Sequence, residues 1–259
     1  MPSNSRTPIY VAGYPKSGTT WLTRLLGATL DCPTGGSTPA LDETEIATEG
    51  QDRPQPYVIR KGHFTFVREN GRPFVPRPHK MNLLNFDPRP GIVFVIRDPR
   101  DIIVSGAHHW KKSIQEFTEC VINGHGGVRS CGPWSNYIYT WLSVDMKVVV
   151  TKYESLYSMG SHELARIARC LGFDINVEHI EEVIEQQSFQ NRVADINKHG
   201  DDYVFGKQYN LWFMRRGRPG AWEKEFTRDI GHKIQQNFGE HLTAFGYEKD
   251  PKWWRKLPV

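Results

Sequence analysis

The stretch from Ile9 to Thr20 reads IYVAGYPKSGTT and decides the fold of this 259-residue chain. It opens with an apolar, β-branched run, turns at Gly13 and Gly18, and leads into TTWLTRLLGATL, where apolar residues recur at helical spacing. A strand, a tight turn and a helix in this order aim backbone N–H groups and a helix N-terminus at an anion. The stretch therefore predicts an anion-binding loop in an α/β protein.

The two glycines have the spacing of a phosphate-binding P-loop, but the cation is in an unusual place. Thr19 occupies the position at which a nucleotide triphosphatase carries its lysine, and the lysine of this loop is Lys16. The pattern indicates a P-loop adapted to a different anion. Paired glycines at this spacing are common. The alternative to an anion-binding loop is therefore a strand, turn and helix that binds no ligand.

The complete string YPKSGTTW, from Tyr14 to Trp21, resembles the 5′-phosphosulfate-binding loop of sulfotransferases that use 3′-phosphoadenosine 5′-phosphosulfate (PAPS). The resemblance implies an α/β fold in which a P-loop-type parallel β-sheet is flanked by helices on both faces. It also implies that PAPS is the sulfuryl donor. The loop residues that it implies for donor binding are Lys16, Ser17, Gly18, Thr19, Thr20 and Trp21.

Composition narrows the class of protein. The formal net charge of +4 suits a small anionic ligand and is too weak to indicate nucleic acid. No internal repeat or linker is evident, so we expect one domain over residues 1–259. With no signal pattern, no apolar run of bilayer-spanning length and no paired or metal-spaced cysteines, we expect a cytoplasmic protein with reduced thiols and no membrane anchor.

A short strand at Tyr57–Ile59 is predicted to lead into Arg60-Lys61-Gly62-His63. A histidine just past a strand is more often structural than catalytic. In the sulfotransferase family, however, a Lys-x-His string after a strand carries the general base, and Lys61-Gly62-His63 matches it. The resemblance implies that His63 is the catalytic base and that Lys61 adds positive charge at the sulfuryl oxygens. The family's usual Leu-Pro after the histidine is absent.

A second apolar run, Ile92–Ile96, predicts a central strand of a parallel sheet. Asp98 is suited to cap a helix that begins at Pro99. Arg97 ends the strand and Ser105 follows eight residues later, which resembles the 3′-phosphate site of the family. The resemblance implies that both bind PAPS, and Ser105 is also a candidate catalytic residue. The alternative is that Arg97 pairs with a local acid and Ser105 only packs.

Three later motifs also match the family. Tyr153 follows a predicted strand at 147–151, where the family has a tyrosine that contacts adenine. Phe189 resembles a phenylalanine that packs on adenine. The string from Arg215 to Trp222 resembles one that closes over the 3′-phosphate. The residues of that string that we expect to bind the donor are Arg215, Arg216 and Gly217.

The remaining segments divide into helices and loops. We predict helices at 134–143, 162–171, 177–187, 227–238 and 241–245. Residues 113–133 are interpreted as a mobile loop containing a short amphipathic piece, and residues 191–208 as an irregular candidate lid. The candidate walls of the acceptor site, at 31–56, 64–80, 113–133 and 191–213, contain many aromatic residues, which favours a small, partly apolar, hydroxylated acceptor.

The implied reaction is transfer of a sulfuryl group from PAPS to a hydroxyl or amine, leaving the desulfated product PAP. His63 would take the acceptor proton and Lys16 would stabilise the leaving phosphate. We expect no metal, because the strand before Arg97 ends in a cation where a metal site would need an acid. The alternatives are a P-loop small-molecule kinase, which would need a lysine at position 19, and a non-catalytic adenine-nucleotide-binding protein.

The assembly of this chain is expected to differ from that of animal cytosolic sulfotransferases, which end in a KxxxTVxxxE dimer segment. Here the corresponding stretch, Glu223 to Arg228, reverses the first charge and has arginine where valine belongs, and His232 replaces the final acid. We predict that this dimer contact is absent.

Overall fold

A parallel sheet forms the centre of the computed structural model. Its five strands, in spatial order, are β2 (Thr34–Gly35), β3 (Tyr57–Gly62), β1 (Thr7–Gly13), β6 (Ile92–Ile96) and β7 (Val148–Lys152). Two short strands, β4 (Val67–Glu69) and β5 (Arg72–Phe74), form a separate antiparallel pair. The structure describes residues 6–35, 49–63, 67–69, 72–74, 91–145, 147–200 and 217–259.

Nine helices are present among the described residues. They are α1 (Thr19–Thr29), α2 (Pro99–His109), α3 (Ile114–Asn123), α4 (Trp134–Leu142), α5 (Tyr153–Ser158), α6 (Gly160–Cys170), α7 (Val177–Gln186), α8 (Phe189–His199) and α9 (Arg228–Ala244). Short 3₁₀ turns occur at Gly126–Val128, Ala221–Lys224 and Trp253–Lys256. None of these helices is both long enough and apolar enough to cross a membrane.

Helices cover both faces of the sheet because alternate residues of a strand point to opposite sides. Ile9 and Val11 of β1 pack in a core with α1, α6 and α7, whereas Tyr10 and Ala12 pack in a second core with α2, α3, α4 and α9. The five residues of β6 are all buried, as a central strand of a parallel sheet requires. The predicted α/β fold, with helices on both faces of a parallel sheet, is confirmed.

Four predictions of secondary structure were wrong. The described part of the loop at 31–56 contains the edge strand β2, which has only two residues and therefore no readable pattern. Strand β3 continues to Gly62, because Lys61 and Gly62 pair with Val11 and Ala12 of β1. The candidate lid at 191–208 is helical as far as His199, in a helix whose N-terminus is capped by Ser188. The two helices predicted near the C-terminus are one helix, α9.

The interpretation of residues 113–133 as a mobile loop was also wrong. Most of the first half is the regular helix α3, which begins with a capping box: Ser113 accepts from the Glu116 N–H, and the Glu116 carboxylate accepts from the Ser113 N–H at 2.9 Å. Gly124, with φ of 70°, ends the helix in the left-handed conformation. The glycine-rich run that suggested a loop is confined to the residues after this cap.

Candidate active site

The predicted donor residues meet at the carboxyl edge of the sheet. Strands β3, β1, β6 and β7 run parallel and side by side, so the residues that follow them emerge at one edge. Those residues are His63, the loop from Tyr14 to Gly18, Arg97 and Tyr153. A crevice at this edge is where open α/β sheets bind ligands.

The loop after β1 presents backbone donors to this crevice. Gly18 is the N-cap of α1 and adopts a left-handed conformation with φ of 88°. It has no side chain with which to cap the helix, and the first-turn N–H groups of α1 have no partner within the helix. A Cβ at Gly18 would lie 2.5 Å from the Tyr153 ring. The Tyr153 ring thus packs closely against the loop on one side, while the N-terminus of α1 remains open to an anion.

Lys16 occupies a strained position in this loop. Its φ is 72°, a left-handed value that is uncommon outside glycine, and its carbonyl oxygen accepts a hydrogen bond from Arg97 Nη1 at 3.0 Å. Burial, together with the charges of Arg97 and Lys61, lowers the pKa of the Lys16 ammonium to about 7. Burial and the two neighbouring cations therefore disfavour the charge on Lys16.

His63 lies directly beside the loop, as part of the same cluster. Its Nδ1 is 2.8 Å from the carbonyl oxygen of Gly13, the last residue of β1. A carbonyl can only accept, so Nδ1 carries the hydrogen and Nε2 of the neutral ring keeps a lone pair. Burial lowers the pKa of His63 to about 4, with contributions from the charges of Lys61 and Lys16. Near neutral pH the imidazole is therefore a proton acceptor.

Lys61 connects β3 to the start of α1. Its Nζ donates to the Thr20 hydroxyl at 2.8 Å, so the ammonium lies at the helix N-terminus where an anion would bind. Thr19 is buried beside it: a Cβ added to Gly13 would come within 2.9 Å of the Thr19 methyl group. The position of the nucleotide triphosphatase lysine is thus filled by a packed threonine.

Ser17 is equally enclosed within the loop. Its backbone N–H donates to the Tyr14 carbonyl at 3.0 Å and closes the turn. Its hydroxyl is buried and has no hydrogen-bond partner among the described residues. A buried hydroxyl without a partner is costly unless a ligand or water supplies one, so Ser17 fits a donor site in which an anion completes its hydrogen bonding.

Beside the loop, the Tyr153 ring contacts both Arg97 and Trp21. The Arg97 guanidinium lies 4.1 Å from the centroid of the Tyr153 ring, and that ring meets the Trp21 ring edge-on at 5.5 Å. Trp21 Nε1 donates to the Gln187 carbonyl, which joins α1 to the end of α7. Arg97 forms no ion pair with a described acid, so the local pairing considered as an alternative does not occur within the described residues.

Of the remaining predicted residues, Phe189, Gly217 and Ser105 lie within the described part of the chain. Phe189 is the first residue of α8 and Gly217 lies against it, since a Cβ at Gly217 would be 2.4 Å from the Phe189 ring. Ser105 lies in α2 and is half-buried. Arg215 and Arg216 lie outside the described residues.

Two residues near the site were not singled out by sequence reasoning. The buried Asp101 carboxylate accepts hydrogen bonds from the backbone of residues 220–222. His109 packs against Trp110, with ring centroids 4.5 Å apart; burial and the Lys16 charge lower the pKa of His109 to about 4. An acid in the first turn of a predicted helix was the available signal for Asp101; none existed for His109. No described group of three or more His, Cys, Asp or Glu residues could hold a metal ion.

Comparison with known proteins identifies the family. The family model of the sulfotransferase domain matches residues 6–246. Flavonol 4′-sulfotransferase of Flaveria chlorifolia is 24% identical over 92% of this chain and 80% of that protein. Human sulfotransferase 2A1 is 25% identical over 94% of this chain and 87% of that protein.

Solved structures resemble the fold over a similar extent. Mouse sulfotransferase SULT7A1 complexed with PAP has a TM-score of 0.68 at 18% identity, covering 98% of this chain and 90% of that one. A retinol dehydratase in complex with retinol and PAP has a TM-score of 0.62 at 19% identity, covering 91% and 81%. Because the family model spans nearly the whole chain, the chain belongs to the sulfotransferase family predicted from its loop string and is an enzyme of the PAPS-dependent class.

Proposed function

We propose that this enzyme transfers the sulfuryl group of PAPS to a hydroxyl or amine of a small, partly apolar acceptor. The observation that carries the proposal is the arrangement of His63, whose Nδ1 donates to the Gly13 carbonyl and whose pKa is lowered by burial and by the charges of Lys61 and Lys16. A neutral imidazole is thereby fixed beside a cationic, anion-accepting loop. The PAP-bound relatives of the same fold support PAPS as the donor.

In the proposed reaction, Nε2 of His63 accepts the proton of the acceptor group as its oxygen or nitrogen attacks sulfur. The new bond to sulfur forms in line with the breaking bond between sulfur and the bridging phosphate oxygen. Lys16 neutralises the charge that develops on the leaving phosphate, and Lys61 supports the sulfuryl oxygens. The loop backbone and the first turn of α1 hold the 5′-phosphate, so catalysis is electrostatic preorganisation without a covalent intermediate.

Donor binding should also raise the pKa values of His63 and Lys16. The lowered pKa values of Lys16, about 7, and of His63, about 4, arise from burial and in part from neighbouring positive charge. Negative charge from the donor offsets the effect of these cations and raises both pKa values. His63 then becomes a stronger base only when the donor is present, and Lys16 becomes fully charged at the moment when its charge is needed.

The remaining candidate residues are proposed to bind the nucleoside end of the donor. Arg97, Ser105, Arg215, Arg216 and Gly217 would hold the 3′-phosphate. Tyr153 and Phe189 would line the adenine site, with Trp21 supporting Tyr153 through their edge-on contact. A kinase function is disfavoured because the position of the triphosphatase lysine is occupied by Thr19, which is buried.

The proposal is tested by calorimetric titration of PAP, and of ATP with Mg²⁺, into the wild type, Lys16→Met and Lys112→Met. Lys112 is exposed and serves as the matched charge control. We expect PAP to bind the wild type and the control alike, Lys16→Met to bind it more weakly, and ATP to bind poorly. Tight ATP binding without a response to PAP would contradict the proposal. If PAP binds, radiolabelled PAPS is then used to screen phenols, alcohols and amines as acceptors.

A further inference from the structure

Asp101 joins two distant parts of the chain through its carboxylate. Its Oδ2 accepts from the Gly220 N–H at 2.8 Å, and its Oδ1 accepts from the Ala221 N–H at 2.8 Å and from the Trp222 N–H at 3.4 Å. The side chain is 2% exposed, so these bonds form in a medium where unpaired donors or acceptors are costly. The carboxylate caps the 3₁₀ turn at Ala221–Lys224, whose own N-cap, Gly220, has no side chain.

This use of Asp101 is not explained by its own helix. Asp101 is the third residue of α2, the position from which an acid in a capping box reaches back to the N-cap N–H. In this protein the N-cap is Asp98, and its N–H donates instead to Glu154 at 3.1 Å. Asp98 itself caps α2 by accepting from the Arg100 N–H. Both oxygens of Asp101 are therefore directed at the segment containing residues 220–222.

The segment held by Asp101 continues to the proposed nucleotide site. Gly220 and Gly217 both have left-handed backbones, with φ of 79° and 62°, and Gly217 lies directly against the Phe189 ring. Next to the carboxylate, the Arg100 guanidinium covers the Trp222 ring at 3.9 Å and fixes the same turn through its side chain. The turn at residues 217–222 is thus fastened to α2 at one end and touches Phe189 at the other.

The same face of α2 carries a proposed 3′-phosphate ligand. Ser105 follows Asp101 by four residues, and residues four apart on a helix lie on one face. The turn at residues 217–222 therefore approaches α2 along the face on which Ser105 stands. A shift of this turn would change the space beside Ser105 and the packing on Phe189 together.

We infer that Asp101 is a positioning residue for the donor site, which fixes the turn at residues 217–222 against the Ser105 face of α2 and so sets the enzyme's affinity for a 3′-phosphorylated nucleotide. Asp101 does this without touching the nucleotide, because its oxygens are occupied by backbone N–H groups. The inference rests on the proposed function, since it concerns the donor that the function assigns to this site.

The test compares PAP with AMP, which differ only in the 3′-phosphate. Both are titrated by calorimetry into the wild type, Asp101→Asn and Ser105→Ala, and the ratio of the two affinities is the readout. Asp101→Asn keeps the size of the side chain but replaces one acceptor oxygen by a donor that faces N–H groups. We expect it to weaken PAP binding about ten- to a hundredfold while AMP binding changes little, because charged hydrogen bonds to the turn are lost.

Two further variants distinguish positioning from a general loss of structure. Gly220→Ala strains the same turn because the backbone of residue 220 is left-handed, and it changes no residue of α2. The added methyl group has room, since the nearest atom is 3.8 Å away. It should lower the PAP-to-AMP ratio as Asp101→Asn does, even if Asp101→Asn does not fold. His108→Gln, which removes an exposed pair with Glu225 in the following segment, should leave the ratio unchanged.

The outcomes separate this inference from the function on which it rests. If wild-type protein binds PAP no more tightly than AMP, the proposed donor site is wrong and the inference is overturned with it. If the wild type prefers PAP but Asp101→Asn and Gly220→Ala keep that preference, or weaken both nucleotides equally, Asp101 has only a structural role. A selective loss for PAP in both variants, with thermal unfolding confirming that they are folded, supports the inference.

Discussion

Nδ1 of His63 and the carbonyl oxygen of Gly13 are 2.8 Å apart, so the proposed base is hydrogen-bonded to the last residue of the strand that opens the phosphate loop. The contact bridges two neighbouring parallel strands, β3 and β1. It orients the ring, selects the tautomer and couples the position of the base to the position of the loop. The distance between base and donor is therefore fixed by backbone structure before either substrate binds.

Replacing His63 by glutamine should remove the base while the donor site persists. We expect the turnover number to fall about 10²- to 10⁴-fold, the usual contribution of a positioned general base, with little change in PAP affinity. Steady-state sulfation assays and PAP titration measure the two effects. His125→Gln, at an exposed position, is the control. Near-normal turnover in His63→Gln would exclude His63 as the base.

Binding of PAP should be accompanied by proton uptake at Lys16. Its pKa in the ligand-free protein is about 7, below the ordinary 10.5, and an anion raises it. Above pH 7 the free ammonium is mostly deprotonated, so binding takes up a proton and the apparent affinity falls by about tenfold per pH unit. Below pH 7 this dependence disappears.

Calorimetry in buffers of different ionisation enthalpy measures this uptake directly. At pH 8 we expect it to approach one proton per PAP bound in the wild type and to be lost in Lys16→Met. At that pH the phosphates of PAP are already deprotonated and contribute no uptake of their own. Undiminished uptake in Lys16→Met would assign the proton to another group.

Gly18 and Gly132 form a matched pair of glycines for testing the loop. Both have left-handed backbones, but a Cβ at Gly18 would lie 2.5 Å from the Tyr153 ring, whereas a Cβ at Gly132 would meet nothing within 4 Å. Gly132→Ala should lower the free energy of unfolding by about 1 kcal/mol and leave PAP binding intact. Gly18→Ala should cost about 1–3 kcal/mol more, through overpacking, and weaken PAP binding. Equal effects in urea titrations would contradict the close packing of the loop.

The ligand-free protein should lose stability in mild acid because of two histidines. The folded-state pKa of His63 and that of His109 are each about 4, below the ordinary 6.5, so the unfolded chain binds more protons between these values. The stability due to neutral His63 and His109 is complete above pH 6.5 and is lost as the pH falls towards 4.

Urea unfolding at pH 7.5 and pH 5 measures this loss. His63→Gln and His109→Gln should each reduce the difference in unfolding free energy between the two pH values, because glutamine does not titrate. His125→Gln should reproduce the wild-type difference. Variants that retain the full difference would place the acid sensitivity elsewhere.

The segment that resembles the dimer contact of animal sulfotransferases is tied to its own chain at some points, although Thr227 and Arg228 are exposed. The backbone N–H of Arg228 donates to the Pro258 carbonyl at 2.7 Å, and the side chain of Leu257 packs over Gly231. Glu225 is paired with His108. Because Glu223 and Arg228 depart from the charge and apolar pattern of that contact, we expect sedimentation velocity to show no dimer that depends on this segment. A dimer that Arg228→Glu dissociates would show that this segment still mediates association.

Local patterns were sufficient for the strand, loop and helix at the N-terminus and for the cap of α2 at Asp98, because glycines, apolar runs and capping residues act on their immediate neighbours. Local patterns were insufficient for residues whose hydrogen-bond partners are distant in the sequence. Asp101 bonds to residues 220–222, and no local pattern reports such a contact. The helix α3 was missed for a different reason: the glycines after it suggested a loop, and the capping box at Ser113 and Glu116 that starts it was not recognised.

The strand order has a consequence for how substrate range can change in this enzyme. Read across the sheet from β3 through β1 and β6 to β7, the strand ends supply His63, Lys16, Arg97 and Tyr153 in turn. Neighbouring strands are about 4.8 Å apart, so these four positions form a row about 14 Å long from the proposed base to the proposed adenine site. The proposed base lies on the side of the sheet that ends at the short outer strand β2, and Tyr153 follows β7 at the other side. We therefore expect substitutions near the end of β3 to change acceptor choice while the proposed donor residues of β6 and β7 keep their register.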